Sequence, residues 1–210
     1  MFAKDRDLVV LDPAVFRDAA WAGQVSASGE GTVSGTTLSA PGLDFEAAGV
    51  EAGGVVVIGA GVYEIVSRDS ATALTVSRMR AAESGPTLPP SVSGAVSFSV
   101  VGFGAQIADT HRRLLRMLGV GEDGTGASVE ASAILNGADL VRLESLGALH
   151  VIWAGVSAAG GPESVEGKRA EMFRVRFDAE RRVASAVIDT DGDGVGDTRR
   201  RFGVIGVVRA

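Results

Sequence analysis

Apolar and polar positions follow a short, strand-like period through the first half of this 210-residue chain and a helical one after the Gly102–Ala105 region. Two β-rich runs, Val55–Ile58 and Val62–Val66, flank Gly59-Ala60-Gly61, a three-residue glycine-containing loop that signals a hairpin. A polar Arg68-Asp69-Ser70 turn leads into a third strand, in which Ala71, Ala73 (or Leu74) and Val76 can face a core. Upstream, Leu8–Leu11 reads as a strand. Asp12 then suits a helix cap and Pro13 the first helical position, predicting a short helix Pro13–Trp21 with Phe16, Ala20 and Trp21 on one face. A glycine- and serine-rich stretch holds a weak strand around Thr32–Leu38. Ser91–Val101 supplies another strand, with Val92, Phe98 and Val100 for burial. Glu83–Pro90 carries three prolines and reads as a loop.

In the second half Ile107, His111, Leu114 and Leu118 form one helical stripe that stops at Gly119, a good C-cap. Gly119–Gly126 is a polar connection. Val129–Val156 reads as a helical region interrupted near Asn136-Gly137, apolar over a wide arc through Leu140, Leu143, Leu146, Leu149, Val151, Ile152 and Trp153. After Gly160-Gly161-Pro162 a third helix is expected from Glu163 to Ile188, burying Val165, Met172, Phe173, Phe177, Ala184 and Val187. Its acidic residues come early and its arginines late, as the helix dipole favours, and Asp178 and Arg182 stand at i,i+4. Phe202–Val208 is an apolar strand in search of a partner surface. The expected fold is therefore α+β. An N-terminal β-rich, barrel-like part (1–101) precedes a bundle of about three helices (102–188), and an acidic Asp/Gly turn with a C-terminal docking strand (189–210) follows.

Composition removes several function classes. The net charge of −6 gives no general reason to bind nucleic acid or an anionic membrane. Positive charge is uneven: residues 1–100 hold 6 Lys/Arg against 11 Asp/Glu, whereas 101–210 hold 14 against 15. With no cysteine there is no disulfide framework, thiolate nucleophile or cysteine zinc site. The charged opening Met1–Asp7 is followed by no apolar signal core, and the long uncharged run 84–108 is too polar for a membrane span, so a soluble protein is expected.

Candidate chemistry is thin. The sharpest motif is Asp189-Thr190-Asp191-Gly192-Asp193-Gly194-Val195-Gly196-Asp197. It places Asp189, Asp191, Asp193 and Asp197 at positions 1, 3, 5 and 9 of a calcium-type loop, with Gly194 at position 6 and the Val195 carbonyl at 7. Arg200 stands at position 12 in place of the bidentate glutamate, so any calcium site would be weak. The alternative is a plain Asp/Gly turn with solvated carboxylates or carboxylates paired to Arg199–Arg201. His111 and His150 lie in helices with no acidic residue at metal-ligand spacing and read as packing or interface residues. Gly59-Ala60-Gly61 joins strand to strand, which excludes a phosphate loop, and no nucleophile elbow or zinc-protease motif occurs. The arginines Arg169, Arg174, Arg176, Arg181, Arg182 and Arg199–Arg201 make either a solvated face, a dock for an acidic protein surface or the lining of a passage for DNA.

Three stretches together resemble the small neck proteins of tailed bacteriophages, the head–tail connector group of adaptor and head-completion proteins. They are Val10-Leu11-Asp12-Pro13-Ala14-Val15-Phe16-Arg17-Asp18; the meander from Gly53 to Val76; and the helical block with Ile107–Val120 and Ala170–Phe177, ending in the acidic turn and terminal strand. The resemblance implies a structural virion protein without enzymatic activity. It would be a homo-oligomeric ring subunit joining portal to tail, contacting the portal protein and other neck or tail proteins. It would help close the DNA-filled head, with packaged DNA passing through the ring and no membrane partner. Its place would be the virion neck, after assembly in the host cytoplasm, and no cofactor would be required beyond the calcium that the Asp loop can invite. On this reading Arg199, Arg200 and Arg201 steer the tail to an acidic surface, and Phe202, Val204, Ile205 and Val207 dock by strand addition, for instance to the portal. The competing class is a calcium-dependent binding or adhesion module.

Overall fold

The computed structural model describes residues 1–158 and 160–202. The chain divides into two compact units, residues 4–104 and residues 1–3 together with those from 105 onward. The protein is α+β, with a closed barrel early in the chain and its longer helices later.

In the first unit six antiparallel strands close in the order β1-β2-β5-β4-β3-β6. They are β1 (Gln24–Ser34), β2 (Thr37–Ser39), β3 (Val55–Ile58), β4 (Gly61–Ser70), β5 (Ala73–Ser77) and β6 (Gly94–Gly102). Closure comes from β1 lying along β6, from Gln24 opposite Gly102 to Val33 opposite Gly94, with a bulge between Val25 and Ala27. A closed barrel leaves no unpaired edge. Period-two alternation sends Val56, Ile58, Tyr63, Ile65, Leu74, Val76, Phe98 and Val100 into one interior cluster, joined by Phe45 and Val50 from the segment between β2 and β3. On the outer face Val55 is registered against both Glu64 and Val101, and all three are buried.

The β3–β4 hairpin is tighter than the expected three-residue loop. Ile58 pairs with Gly61, so the turn is Gly59-Ala60, and the φ of +59° at Gly59 suits the first central position of a type II′ turn. Arg68-Asp69-Ser70 is not a turn but the end of β4, and the reversal falls at Ala71-Thr72. Asp69 holds it by accepting hydrogen bonds from the hydroxyls of Ser67 and Thr75, each at 2.7 Å. Leu74 and Val76 are the core residues of β5.

The N-terminal expectations need correction. Leu8–Leu11 belongs to a helix, α1 (Asp5–Leu11), not to a strand. Asp7 accepts the Lys4 backbone N–H at 2.8 Å, two acidic residues sit in the first turn, and the Arg6 N–H reaches the Gly53 carbonyl at 3.0 Å. Tertiary anchoring of this kind overrides the strand preference of Val9-Val10. The helix expected over Pro13–Trp21 is only α2 (Val15–Asp18) followed by a 3₁₀ turn Ala20–Ala22; Phe16 is buried against Phe103, with ring centroids 5.1 Å apart, while Trp21 is exposed.

The second unit holds α3 (Gly104–Leu118), α4 (Gly137–Ser157) and α5 (Val165–Val183), with β7 (Ser185–Ile188) paired to β8 (Thr198–Arg201). In α3, Ile107, His111, Leu114 and Leu118 are buried as the stripe requires. The helix ends at Gly119 in a Schellman arrangement: Gly119 N–H donates to the Arg116 carbonyl and Val120 N–H to the Leu115 carbonyl. The helical region expected over 129–156 is a 3₁₀ turn Ala131–Ala133 and then α4. Gly147 lets α4 be approached from two sides: a Cβ there would lie 2.6 Å from Thr110 of α3 and 3.0 Å from Phe177 of α5. The third helix stops at Val183, because Ala184 turns extended and Ser185–Ile188 leaves to pair with β8. Its buried residues are Gly167, Ala170, Phe173 and Phe177; Val165 and Met172, expected inside, are exposed. Asp178 pairs with Arg174 at 3.4 Å and Arg181 at 3.2 Å instead of the expected Arg182. No helix among the described residues is long and apolar enough to cross a membrane.

Candidate functional site

The acidic motif forms the loop between β7 and β8. Asp189, Asp191 and Asp197 bring carboxylate oxygens within 4.8 Å of one another, whereas Asp193 does not join them. The loop is held by its own N–H groups. Asp189 accepts from Gly192 at 2.7 Å and Gly194 at 2.8 Å, Asp197 from both the N–H and hydroxyl of Thr190 at 2.7 Å, and Asp193 from Val195 N–H at 2.7 Å. The N–H groups of Gly194 and Gly192 hold the Asp189 carboxyl below the usual carboxylate range, and the Thr190 N–H does the same for Asp197. Chemically this arrangement can offer three carboxylates to one hard cation.

The arginines that follow lie on β8, with Arg199 opposite Val187, Arg200 opposite Ala186 and Arg201 opposite Ser185. Arg199 and Arg201 are exposed. Arg200 is turned toward α3, donating to the carbonyls of Leu118 at 2.7 Å and Gly119 at 3.3 Å, a cationic cap on a helix C-terminus. Phe202 is buried, and Val204, Ile205 and Val207 lie outside the described residues.

Helix α5 has two apolar faces. One is the buried face on Ala170, Phe173 and Phe177, toward α4. The other, on the opposite side, is exposed: Val165 (65 %), Met172 (38 %), Val175 (53 %) and Val183 (77 %), with exposed Ala179 between the last two. Successive spacings of seven, three, four and four keep these residues on one stripe. Lys168, Arg176 and Arg182 are exposed along the same stripe, and Arg169 stands with its guanidinium 4.6 Å over the Trp153 ring. Three of the four acidic residues of α5 are paired with arginines: Glu171 with Arg174 at 2.6 Å, Asp178 with Arg181 at 3.2 Å and Glu180 with Arg142 at 3.2 Å. Sequence reasoning placed Val165 and Met172 in the core because both faces carry helical spacing. The signal that separates them is residue size, since the aromatic residues of α5 fall on the buried face.

Two buried carboxylates were not foreseen. Glu144, fully buried on α4, accepts the backbone N–H groups of Phe2 at 2.6 Å and Ala3 at 2.9 Å. His111 Nδ1 lies 3.1 Å from its other oxygen, off hydrogen-bond alignment, and Phe2 packs edge-on against the imidazole at 4.7 Å. His150 is a packing residue, its Nδ1 3.1 Å from the Ala170 carbonyl. In the barrel unit Glu64 meets Arg80 at 2.6 Å and Arg6 at 3.1 Å. The hydrogen bonds that Arg80 donates to the Glu64 carboxylate raise the Arg80 pKa further. These separations, over thirty residues for His111 and Glu144, leave no local pattern to read.

Comparison with protein-family models, curated proteins and solved structures finds no match to this chain.

Proposed function

We propose that this chain is a structural subunit of a tailed-phage neck, a ring component that joins portal to tail and helps close the filled head. The observation that carries the reading is the second, solvent-facing apolar stripe on α5, flanked by arginines. A helix that already buries one face in its own bundle and offers another of helical period is suited to lateral assembly. The barrel of the other unit is closed by hydrogen bonds and has no open strand edge. The resemblance of 10–18, 53–76 and the helical block to neck proteins points the same way. The role is assembly and not catalysis. The test is co-purification and electron microscopy of the full chain with the portal and tail proteins of the phage that encodes it. Ring-shaped complexes containing this chain are expected. A chain that binds neither portal nor tail protein overturns the reading.

The clustering of Asp189, Asp191 and Asp197 favours a second reading, a weak calcium-binding or adhesion module. Calorimetry with millimolar calcium decides it: heat abolished by Asp191→Ala supports the module, and no heat in the native chain removes it.

A further inference from the structure

We infer that the subunits join head to tail, the β7–β8 loop of one copy seating Asp191, Asp193 and Val195, with Leu135, on the exposed face of α5 in the next copy. This rests on the ring-subunit reading and supplies its lateral contact.

The β7–β8 loop is a second surface that mixes exposed apolar residues with charge, and its charge has the opposite sign. Val195 is 64 % exposed and Leu135 46 %, and both belong to one patch: a Cβ at Gly196 would lie 3.9 Å from Leu135 Cδ1, and Leu135 N–H donates to the Val187 carbonyl at 2.9 Å. Asp191 and Asp193 are exposed at its border. The α5 face presents Val165, Met172, Val175 and Val183 with Lys168, Arg176 and Arg182. Apolar meets apolar and acid meets base, which gives such a contact both affinity and register. The loop is pre-organised, since its aspartates already fix Gly192, Gly194 and Val195 N–H, so little ordering entropy is lost on docking.

Self-pairing of α5 is the obvious competitor, and its charges oppose it. Antiparallel pairing about the centre of the stripe sets Arg169 against Arg176 and Glu171 against Asp178 of the other copy. Parallel pairing stacks Lys168 on Lys168 and Arg182 on Arg182 along the seam. The loop-to-helix contact joins two different patches. It is therefore heterologous, and it propagates into a ring when the rotation between copies closes.

The experiment is light scattering coupled to size exclusion on the full chain, at high protein concentration and low salt, with circular dichroism confirming that each variant is folded. The native chain is expected to self-associate, and the Asp191→Lys/Asp193→Lys and Arg176→Glu/Arg182→Glu variants to run as monomers. In a mixture of the two variants each loop meets a face of opposite charge on the other variant, in both directions, so assembly is expected to return with the two kinds of copy alternating. The chain carrying all four reversals regains the native assembly. A monomeric native chain, assembly that survives either pair of reversals, or a monomeric fourfold variant overturns the contact. Portal binding separates this result from the neck reading: variants that lose self-association but still bind portal keep the neck role, and a self-associating chain that ignores portal loses only that role.

Discussion

Each unit buries one glutamate completely, and the two units hold theirs by different means. In the barrel unit Glu64 of β4 is met by two guanidinium groups, Arg80 at 2.6 Å and Arg6 at 3.1 Å. These arginines are tied in turn: Arg6 donates to the Arg80 carbonyl at 2.9 Å, and Arg80 donates to the Gly85 carbonyl at 3.0 Å. In the helical unit Glu144 is met mainly by backbone, through the N–H groups of Phe2 and Ala3. The first arrangement depends on side-chain identity at three distant positions, and the second on an acceptor at one. A third carboxyl marks what happens with fewer partners. Asp5 accepts a single N–H, from Phe103 at 2.8 Å, and burial pushes its pKa up to about 6, against the lowering by that hydrogen bond. Burial of a carboxylate is tolerated here in step with the donors that reach it.

The sharpest way to break the comparison is Arg80→Ala. It leaves Glu64 buried with a poorly aligned Arg6, and should cost the barrel unit about 3–5 kcal/mol in chemical denaturation. A loss below about 1 kcal/mol would show that water replaces the guanidinium without penalty. Asp5 comes next, through pH. The unfolded carboxyl releases its proton near 3.8 and the folded one only near 6, so stability is highest below the lower value and falls as pH rises between them. The drop should be about 2–3 kcal/mol. Asp5→Asn, which keeps an acceptor for Phe103 N–H, should flatten that slope in urea titrations taken across the window, and an unchanged slope would assign it to another group.

In the helical unit Glu144→Ala should cost about 1–3 kcal/mol by orphaning the N–H groups of Phe2 and Ala3, while Glu144→Gln should recover most of it. Hydrogen exchange at Phe2 and Ala3 reads the effect directly: protection that survives Glu144→Ala would mean another acceptor holds the terminus. Gly147→Ala should cost a similar 1–3 kcal/mol, roughly the strain of forcing Thr110 and Phe177 away from α4. The smallest effect belongs to Arg200→Ala, about 0.5–1 kcal/mol from the loss of the cap on α3, read as a lowered melting temperature that added salt partly masks.

Much of the barrel was legible where its strands are apolar. Val55–Ile58, Leu74, Val76, Phe98 and Val100 stand where period-two alternation puts them. Strand β1 was seen only at its end, although it is the longest. Its inward positions include Ala27, Gly29, Gly31 and Val33, and a Cβ at Gly31 would meet the Ser39 carbonyl at 2.9 Å and Phe98 at 3.1 Å. A strand that carries glycine because larger partners fill its space has no hydrophobic pattern to read. The acidic loop was legible as spacing, yet spacing alone could not show that Asp193 stays outside the cluster of the other three or that Arg200 caps α3.

The sequence by itself determined the switch from strand period to helix period, the hairpin at Gly59, the stripe of α3 and its stop at Gly119, since each depends on residues within a turn or two of one another. Only the tertiary structure decided that Leu8–Leu11 is helical, that 185–188 leaves α5 to pair with 198–201, and which of the two apolar faces of α5 is buried. Those choices turn on partners far along the chain: Gly53 and Glu64 for α1, the far side of the acidic loop for β7, and α4 for the aromatic face of α5. Local periodicity is blind to such partners, because the free energy that selects between equally periodic alternatives comes from burial and pairing that exist only once the chain has closed on itself.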